Sequence, residues 1–371
     1  MFTIEMLSAG HGDCLLLEYG DATAPHRVLI DAGPYYAFKE CAWRIDTLVS
    51  SGLGFELLVV THVDTDHIDG AIKLLDAPPT GIHFDDVWFN TWRHLRPGRS
   101  QTTDQADKLG PVHGEMLSGL IDLRKLPWNK AFGGGPVSLG EGAALPVKKL
   151  GGGLTLTLLS PSPEELLALE AVWQADVVSQ GLEPGNRDDA LKKLEKDARY
   201  HKPKDLLGDE TPDMDKLLKT KFEEHMTESN ASSIAFLAEY GDKSCLFAAD
   251  ALPSTLAASV KRLLKDRQEQ KLHVDAVKVS HHGSRGNTSP ELLRLLDCRH
   301  FLVSTNGAGK SAHPHAETIA RIIKECGPGA ELWFNYRSDE NKVWDDQILI
   351  KRHQYVPHYP EEGLVVPLSD L

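Results

Sequence analysis

Long apolar runs are missing from this 371-residue chain. None approaches the ~20 residues needed to span a bilayer, which argues against a membrane protein. The stretch MFTIEMLSAGHGD at the N-terminus has neither a basic segment nor a long apolar core, so no secretory leader is expected. Cysteine is scarce. Cys14, Cys41, Cys245, Cys298 and Cys326 are odd in number and form no CxxC pair, which speaks against a zinc ribbon and for buried free thiols in a reducing cytoplasm. Positive charge is in deficit: 40 Lys and Arg face 54 Asp and Glu, a formal net charge of −14. Duplex DNA held through the whole surface needs the opposite balance, because that affinity comes largely from neutralised phosphates. Cleavage of a phosphodiester is not excluded. No stretch interleaves aromatic and basic residues into a stacking groove. The best local candidate is TWRHLRPGRS (91–100), with a surface loop as the alternative.

Short apolar runs alternate with helical patterns, which predicts an α/β architecture. Strands are expected at 2–7, 14–20, 27–32, 57–62, 86–90, 154–160, 233–240, 244–250, 274–280, 301–305 and 331–336. Helices are expected at 37–51, 69–76, 111–123, 163–179, 187–200, 212–225, 254–268, 290–297 and 316–326. Residues 163–228 are helical in pattern and dense in charges of both signs. They read as an insertion between a first part, 1–162, and a second part, 229–371. Such a segment is either a solvated decoration or a cap that selects substrate or holds a protein partner.

One stretch resists a purely structural account. THVDTDHIDG (61–70) crowds His62, Asp64, Asp66, His67 and Asp69 between the apolar run FELLVV and the pattern AIKLLD. Asp66 or Asp69 could favour a helix N-terminus. That leaves at least one carboxylate and both imidazoles unexplained. Like charges this close raise one another's pKa unless a cation sits among them. The crowding therefore points to divalent metal.

HVDTDH resembles the metal motif HxHxDH of the metallo-β-lactamase superfamily, with Asp64 at the middle histidine. That variant is similar to the C-terminal domain of the DNA-uptake protein ComEC and to related stand-alone hydrolases. Further segments match in order: GHGDCLLLEYG with LIDAG, ESNASSIAFLAEYGDKSCLFAAD, VKVSHHGSRGNTS and STNGAGKSAHPHAETI. The resemblance implies an αββα sandwich of two sheets between outer helices. It implies two divalent ions, Zn²⁺ or Mn²⁺ with Mg²⁺ as a further option. Oxygen-rich ligation at the first position shifts the preference from Zn²⁺ toward Mn²⁺ or Mg²⁺.

Carried over residue by residue, His62 and Asp64 serve the first position and Asp66 and His67 the second. Asp250 bridges, and His282 or His281 completes the second position. The histidine left over contacts substrate or donates a proton. Asp31 orients a ligand histidine, while Asp13 and Asn230 are either site residues or turn residues. His281, Lys278 and His313 are candidate donors to the leaving group. The expected activity is that of a metal-dependent phosphodiesterase or nuclease using an activated water. Alternatives are a hydrolase of a small ester, lactone or cyclic nucleotide, and a regulatory or partner-binding module with a vestigial site.

Overall fold

The computed structural model describes residues 1–95, 110–140, 142, 144–194, 211–308, 312–360 and 364–370. Its strands are β1 (Phe2–Met6), β2 (Leu15–Asp21), β3 (Ala24–Ile30), β4 (Phe55–Val59), β5 (Phe84–Trp88), β6 (Val147–Lys149), β7 (Thr155–Ser160), β8 (Ala235–Tyr240) and β9 (Lys243–Phe247). They continue with β10 (Leu272–His273), β11 (Ala276–Lys278), β12 (Leu296–Asp297), β13 (His300–Val303), β14 (Glu331–Phe334), β15 (Val356–His358) and β16 (Leu364–Pro367). A six-stranded sheet runs β16-β1-β2-β3-β4-β5, an eight-stranded sheet runs β15-β14-β13-β11-β9-β8-β7-β6, and β10 and β12 form a small pair.

Period-two alternation explains the layering. Phe2, Ile4 and Met6 on β1, Leu15 and Leu17 on β2, Val28 and Ile30 on β3, and Leu57 and Val59 on β4 join Leu156, Leu158, Phe236 and Phe247 in a core shared by both sheets. The intervening residues Leu16, Leu29, Leu58 and Val87 turn to the outer face of the first sheet. There they meet α1 (Phe38–Ser50), α2 (Thr65–Asp76), α3 (Gly110–Leu123) and α4 (Pro163–Ser179) through Ile45, Ile72, Met116, Leu120 and Trp173. On the far side of the second sheet lie α8 (Pro253–Arg267), α9 (Pro290–Leu295) and α10 (Ala316–Cys326), which bury Leu256, Val260, Ile319 and Ile323. The result is the αββα sandwich that the motifs implied. Among the described residues no helix is long and apolar enough to cross a membrane.

The described parts of the segment 163–228 pack on this frame. Helix α4 starts where expected, because Ser162 and Glu165 form a capping box and Pro163 takes the first helical position. It packs on α3, as does α5 (Arg187–Leu194), while α6 (Met214–Lys219) packs on α10. The expected helix 212–225 is shorter than its pattern, ending at Lys219. Residues 220–227 leave it as an arm whose groups find partners elsewhere. The Arg321 guanidinium lies 5.2 Å from the Phe222 ring, and Glu224 accepts from the Ser254 backbone N–H and hydroxyl, both at 2.9 Å. Thr227 then caps α7 (Glu228–Ala231). The end of the expected helix 187–200 lies outside the described residues.

Helix α2 begins at Thr65, four residues before the expected start. Asp66, His67 and Asp69 are therefore in its first turns rather than in a loop. Asp64 stands at the N-cap position, yet its side chain makes no capping bond.

Candidate metal centre

The site lies where parallel strands end. Strands β3, β4 and β5 run parallel, as do β9, β11, β13 and β14. The loops after their C-terminal ends carry Asp31, His62, Asp250, His281–His282 and His313. In open α/β sheets such ends are where side chains converge on a ligand. Backbone conformation aims several of them. Asp31, Ala249, His281 and His282 all have left-handed φ of 46–56° without being glycine. Residues of this kind persist where surrounding structure holds them, and they cluster at functional sites.

Asp250 sits between two groups of side chains. Its Oδ2 lies 3.8 Å from His62 Nε2 and 3.6 Å from His281 Nε2, and His62 Nε2 lies 3.6 Å from Asp64 Oδ2. Its Oδ1 lies 3.5 Å from His67 Nε2 and 4.0 Å from His282 Nε2. His282 Nε2 lies 3.3 Å from Asp66 Oδ2. Of the two histidines left open by the sequence, His282 thus stands in the second group with Asp66 and His67. His281 stands in the first with His62 and Asp64. Successive left-handed residues send the neighbouring rings to different oxygens of one carboxylate.

The tautomers follow from the partners. His282 Nδ1 donates to the Ser304 carbonyl at 2.8 Å, and His67 Nδ1 donates to Asp31 Oδ2 at 2.8 Å. Thr61 Oγ1 donates to Asp31 Oδ2 at 2.8 Å and so accepts from His62 Nδ1 at 3.0 Å. Asn287 Oδ1 accepts from His281 Nδ1 at 3.0 Å. With Nδ1 occupied in this way, Nε2 is the ring nitrogen of each imidazole that faces the centre and is the one a cation would take. His67 Nε2 and His282 Nε2 approach to 3.2 Å. His62 Nε2 and Asp250 Oδ1 are buried without a hydrogen-bond partner among the described residues. Unpaired buried acceptors are costly, and here they share a missing complement, a cation.

The protonation balance says the same. Burial opposes charge on His67, but Asp250, Asp66 and Asp31 outweigh it and hold its pKa well above the ordinary value. Burial likewise opposes charge on His282, yet Asp13, Asp250 and Asp66 push it up to about 10. Asp66 and Asp250 are both held below the usual carboxylate range, burial being outweighed by the surrounding imidazoles. The carboxylates demand positive charge. The donor set fits divalent ions of the transition series, with imidazole and carboxylate ligands.

Asp13 Oδ1 also lies near, and donor atoms of Asp13, His67, Asp250 and His282 all fall within 4.8 Å of one another. Its other oxygen accepts from the Lys278 ammonium at 2.6 Å, while Oδ1 is 3.5 Å from His282 Nδ1. We therefore place Asp13 behind His282 as a support. Lys278 was expected as a donor to the leaving group. It is buried at 1% exposure, bonded to Asp13 and to the Val279 carbonyl, and does not face the site mouth. His313 is buried, its ring 5.1 Å from that of His281, and its pKa is pushed down to about 2 by burial and by His281, His282 and His315.

Some participants had little sequence signal. Ser229 donates to Asp64 Oδ1 at 2.5 Å, and Asn230 Nδ2 lies 3.1 Å from His281 Nδ1. Asn230 thus stands beside a histidine of the first group without joining it. His11, within 2.7 Å of the Tyr36 hydroxyl, feels Asp66, His282 and His67. The only hint of it was its place in GHGD. The TWRH part of the basic candidate is mostly buried. Trp92 and His94 are buried, and Arg93 stacks on Trp128 with its guanidinium 3.7 Å from the ring. Residues 96–100 of that stretch lie outside the described residues.

No protein-family model matches the chain, and no curated protein matches it. Several solved structures are similar. The metallo-β-lactamase fold protein YhfI from Bacillus subtilis has 10% identity and a TM-score of 0.39, covering 98% of each chain. Zn²⁺-bound PqqB from Methylobacterium extorquens has 12% identity and a TM-score of 0.41, covering 99% of this chain and 100% of its own. CmlA, a diiron β-hydroxylase from Streptomyces venezuelae, has 12% identity and a TM-score of 0.38; the match covers 98% of this chain and 54% of CmlA. The layer order and the strand ends that carry the site decide the architecture. It is an αββα sandwich, the layering that the motif resemblance implied.

Proposed function

We propose that this protein is a metal-dependent phosphodiesterase, with a nucleic-acid strand or a smaller phosphodiester as substrate, and that the ComEC-like motif set marks that chemistry. One observation carries the reading. The Asp250 carboxylate stands between a His62–Asp64–His281 group and an Asp66–His67–His282 group, with Nε2 atoms aimed inward from both. Those residues would hold two divalent ions, Zn²⁺ or Mn²⁺, with Mg²⁺ a third choice. The chemistry supplied by ions bound there is Lewis-acid activation of water and neutralisation of charge growing on phosphoryl oxygens.

The chain's own groups prepare that site. Asp31 fixes the His67 tautomer and, through Thr61, that of His62. Ser304 and Asp13 do the same for His282, and Lys278 neutralises Asp13. Such outer partners typically set metal affinity by ~10–100-fold. We assign to His313, next to His281 and kept neutral by its surroundings, the hydrogen bond to a leaving oxygen. No covalent nucleophile is required. The acidic surface favours small or single-stranded substrates over duplex DNA.

The test is turnover of bis(p-nitrophenyl) phosphate, cyclic nucleotides and single-stranded oligonucleotides by protein loaded with Mn²⁺, Zn²⁺ or Mg²⁺, against protein stripped with chelator. Chelator-sensitive cleavage of a phosphodiester is expected. Turnover confined to carboxylic esters or lactones would overturn the phosphodiesterase reading. Absence of stoichiometric metal would overturn the metallohydrolase as well.

A further inference from the structure

The arm 220–227, the return of the charged segment toward the second sheet, ends at the metal centre. Its position is fastened at several points. The His225 backbone N–H donates to the Gly286 carbonyl at 3.1 Å. Gly286 is a cradle for the arm: a Cβ there would lie 2.5 Å from His225 Cβ and 2.8 Å from His225 N. Phe222 is held under Arg321, and Glu224 by Ser254. Beyond His225, Thr227 caps the short helix whose Ser229 and Asn230 reach Asp64 and His281. The arm is thus tied on both sides to the first group of site residues.

This fastening presents one imidazole. His225 is exposed, and its ring centre lies 6.3 Å from that of His281, tilted by 45°. The anchors fix this exposed ring beside His281 at the edge of the first group.

We infer that His225 is a substrate-positioning residue of the proposed phosphodiesterase, donating a hydrogen bond to a non-bridging phosphoryl oxygen at the mouth of the first group. This inference rests on the function proposed above. An imidazole carries an N–H in both of its protonation states, so the contact does not depend on its titration. The charged segment then contributes chemically, through a contact that the sandwich itself lacks.

The test uses the full chain loaded with Mn²⁺, in wild type and in the His225→Ala, His225→Gln and Gly286→Ala variants. Two quantities are read: the kinetics of bis(p-nitrophenyl) phosphate cleavage, and the affinity for inorganic phosphate by titration calorimetry. His225→Ala is expected to raise KM and weaken phosphate binding by about five- to tenfold, the scale of one hydrogen bond to a charged group. Its kcat and metal content should stay within about twofold of wild type. His225→Gln keeps a donor and should recover most of the loss. Gly286→Ala displaces the arm and should imitate His225→Ala while keeping the imidazole. Wild-type cleavage and phosphate binding with both quantities unchanged in His225→Ala would overturn the inference alone. A fall in kcat at constant KM, or loss of metal, would overturn the positioning role. A wild type that neither cleaves the diester nor binds phosphate would overturn the phosphodiesterase reading, and this inference with it.

Discussion

The two halves of the candidate centre share the Asp250 carboxylate and, through Asp31, part of their support, but they differ in how their second histidine is held. In the second group Asp66 is 21% exposed, but His67 and His282 have side chains 0% and 2% exposed, each braced by a carboxylate or carbonyl behind it. In the first group His62 is fully buried behind Thr61, but Asp64 is 37% and His281 19% exposed, and the partners of these two are the hydroxyl of Ser229 and the amide oxygen of Asn287. A buried, charge-braced set binds an ion with little reorganisation. A set with two partly exposed members held by neutral groups binds more weakly and leaves room for substrate. One centre can thus combine a resident position with an exchangeable one.

The most severe challenge is Asp250→Asn, which acts on both halves at once. Folding should survive, because Leu246, Phe247 and Ala248 anchor the preceding strand in the core. Turnover should fall by about three orders of magnitude or more, with metal content reduced. Wild-type turnover in metal-replete Asp250→Asn protein would end the metallohydrolase reading.

Next comes the asymmetry itself. His67→Ala should lose the tightly held ion and about 10²–10³ in activity, without rescue by excess Mn²⁺. Asp64→Asn should lose about tenfold and recover as Mn²⁺ is raised. Metal stoichiometry and activity measured against Mn²⁺ concentration would reverse the comparison if the rescued variant were His67→Ala.

The bracing of the deep half is tested by Lys278→Met, which leaves the Asp13 carboxylate buried without its cation. Breaking a buried pair from one side costs about 3–5 kcal/mol, visible as a lowered denaturation midpoint. An unchanged midpoint would mean that Asp13 is neutralised some other way.

Glu115 isolates the electrostatic contrast. It is buried like Asp250, but its partners are the Trp173 N–H and the Gly185 backbone N–H rather than imidazoles. Burial wins, and its pKa is raised to about 7. The folded state therefore keeps this proton longer than the unfolded chain. The stability tied to it is present below about pH 4.5 and is lost as pH rises through about 7. Glu115→Gln should be more stable than wild type by about 1–3 kcal/mol at pH 8, and the difference should vanish near pH 4.5. A difference independent of pH would show that the carboxyl is not the cause. At the bottom of the scale, Asp242→Asn in the exposed turn between β8 and β9 should leave stability within about 0.5 kcal/mol and turnover unchanged.

The deep half was the more legible in the sequence. HVDTDH, the aspartate after SCLFAA and the HHGS pair announce charge crowding at strand ends, and local order suffices to place them. The partition of His281 and His282 was not legible, since it depends on two left-handed residues in succession that no residue type demands. Nor was the arm 220–227, whose pattern reads as helix. It is drawn off the helix by Gly286, Ser254 and Arg321, which are distant in sequence. Strand β16 escaped notice for a related reason: four residues acquire strand character by pairing with β1 across nearly the whole chain.

The ligands come from both sheets, and this sets a clock. His67 and His282 are 215 positions apart. At ribosomal speeds the second follows the first by on the order of 10–40 s. Throughout that interval the nascent HVDTDH segment offers carboxylates and imidazoles without its deep cradle, open to any cation at hand. Under the proposed function, the complete donor set that would discriminate among metals exists only once the later sheet docks, which places metal selection late in synthesis rather than at first encounter.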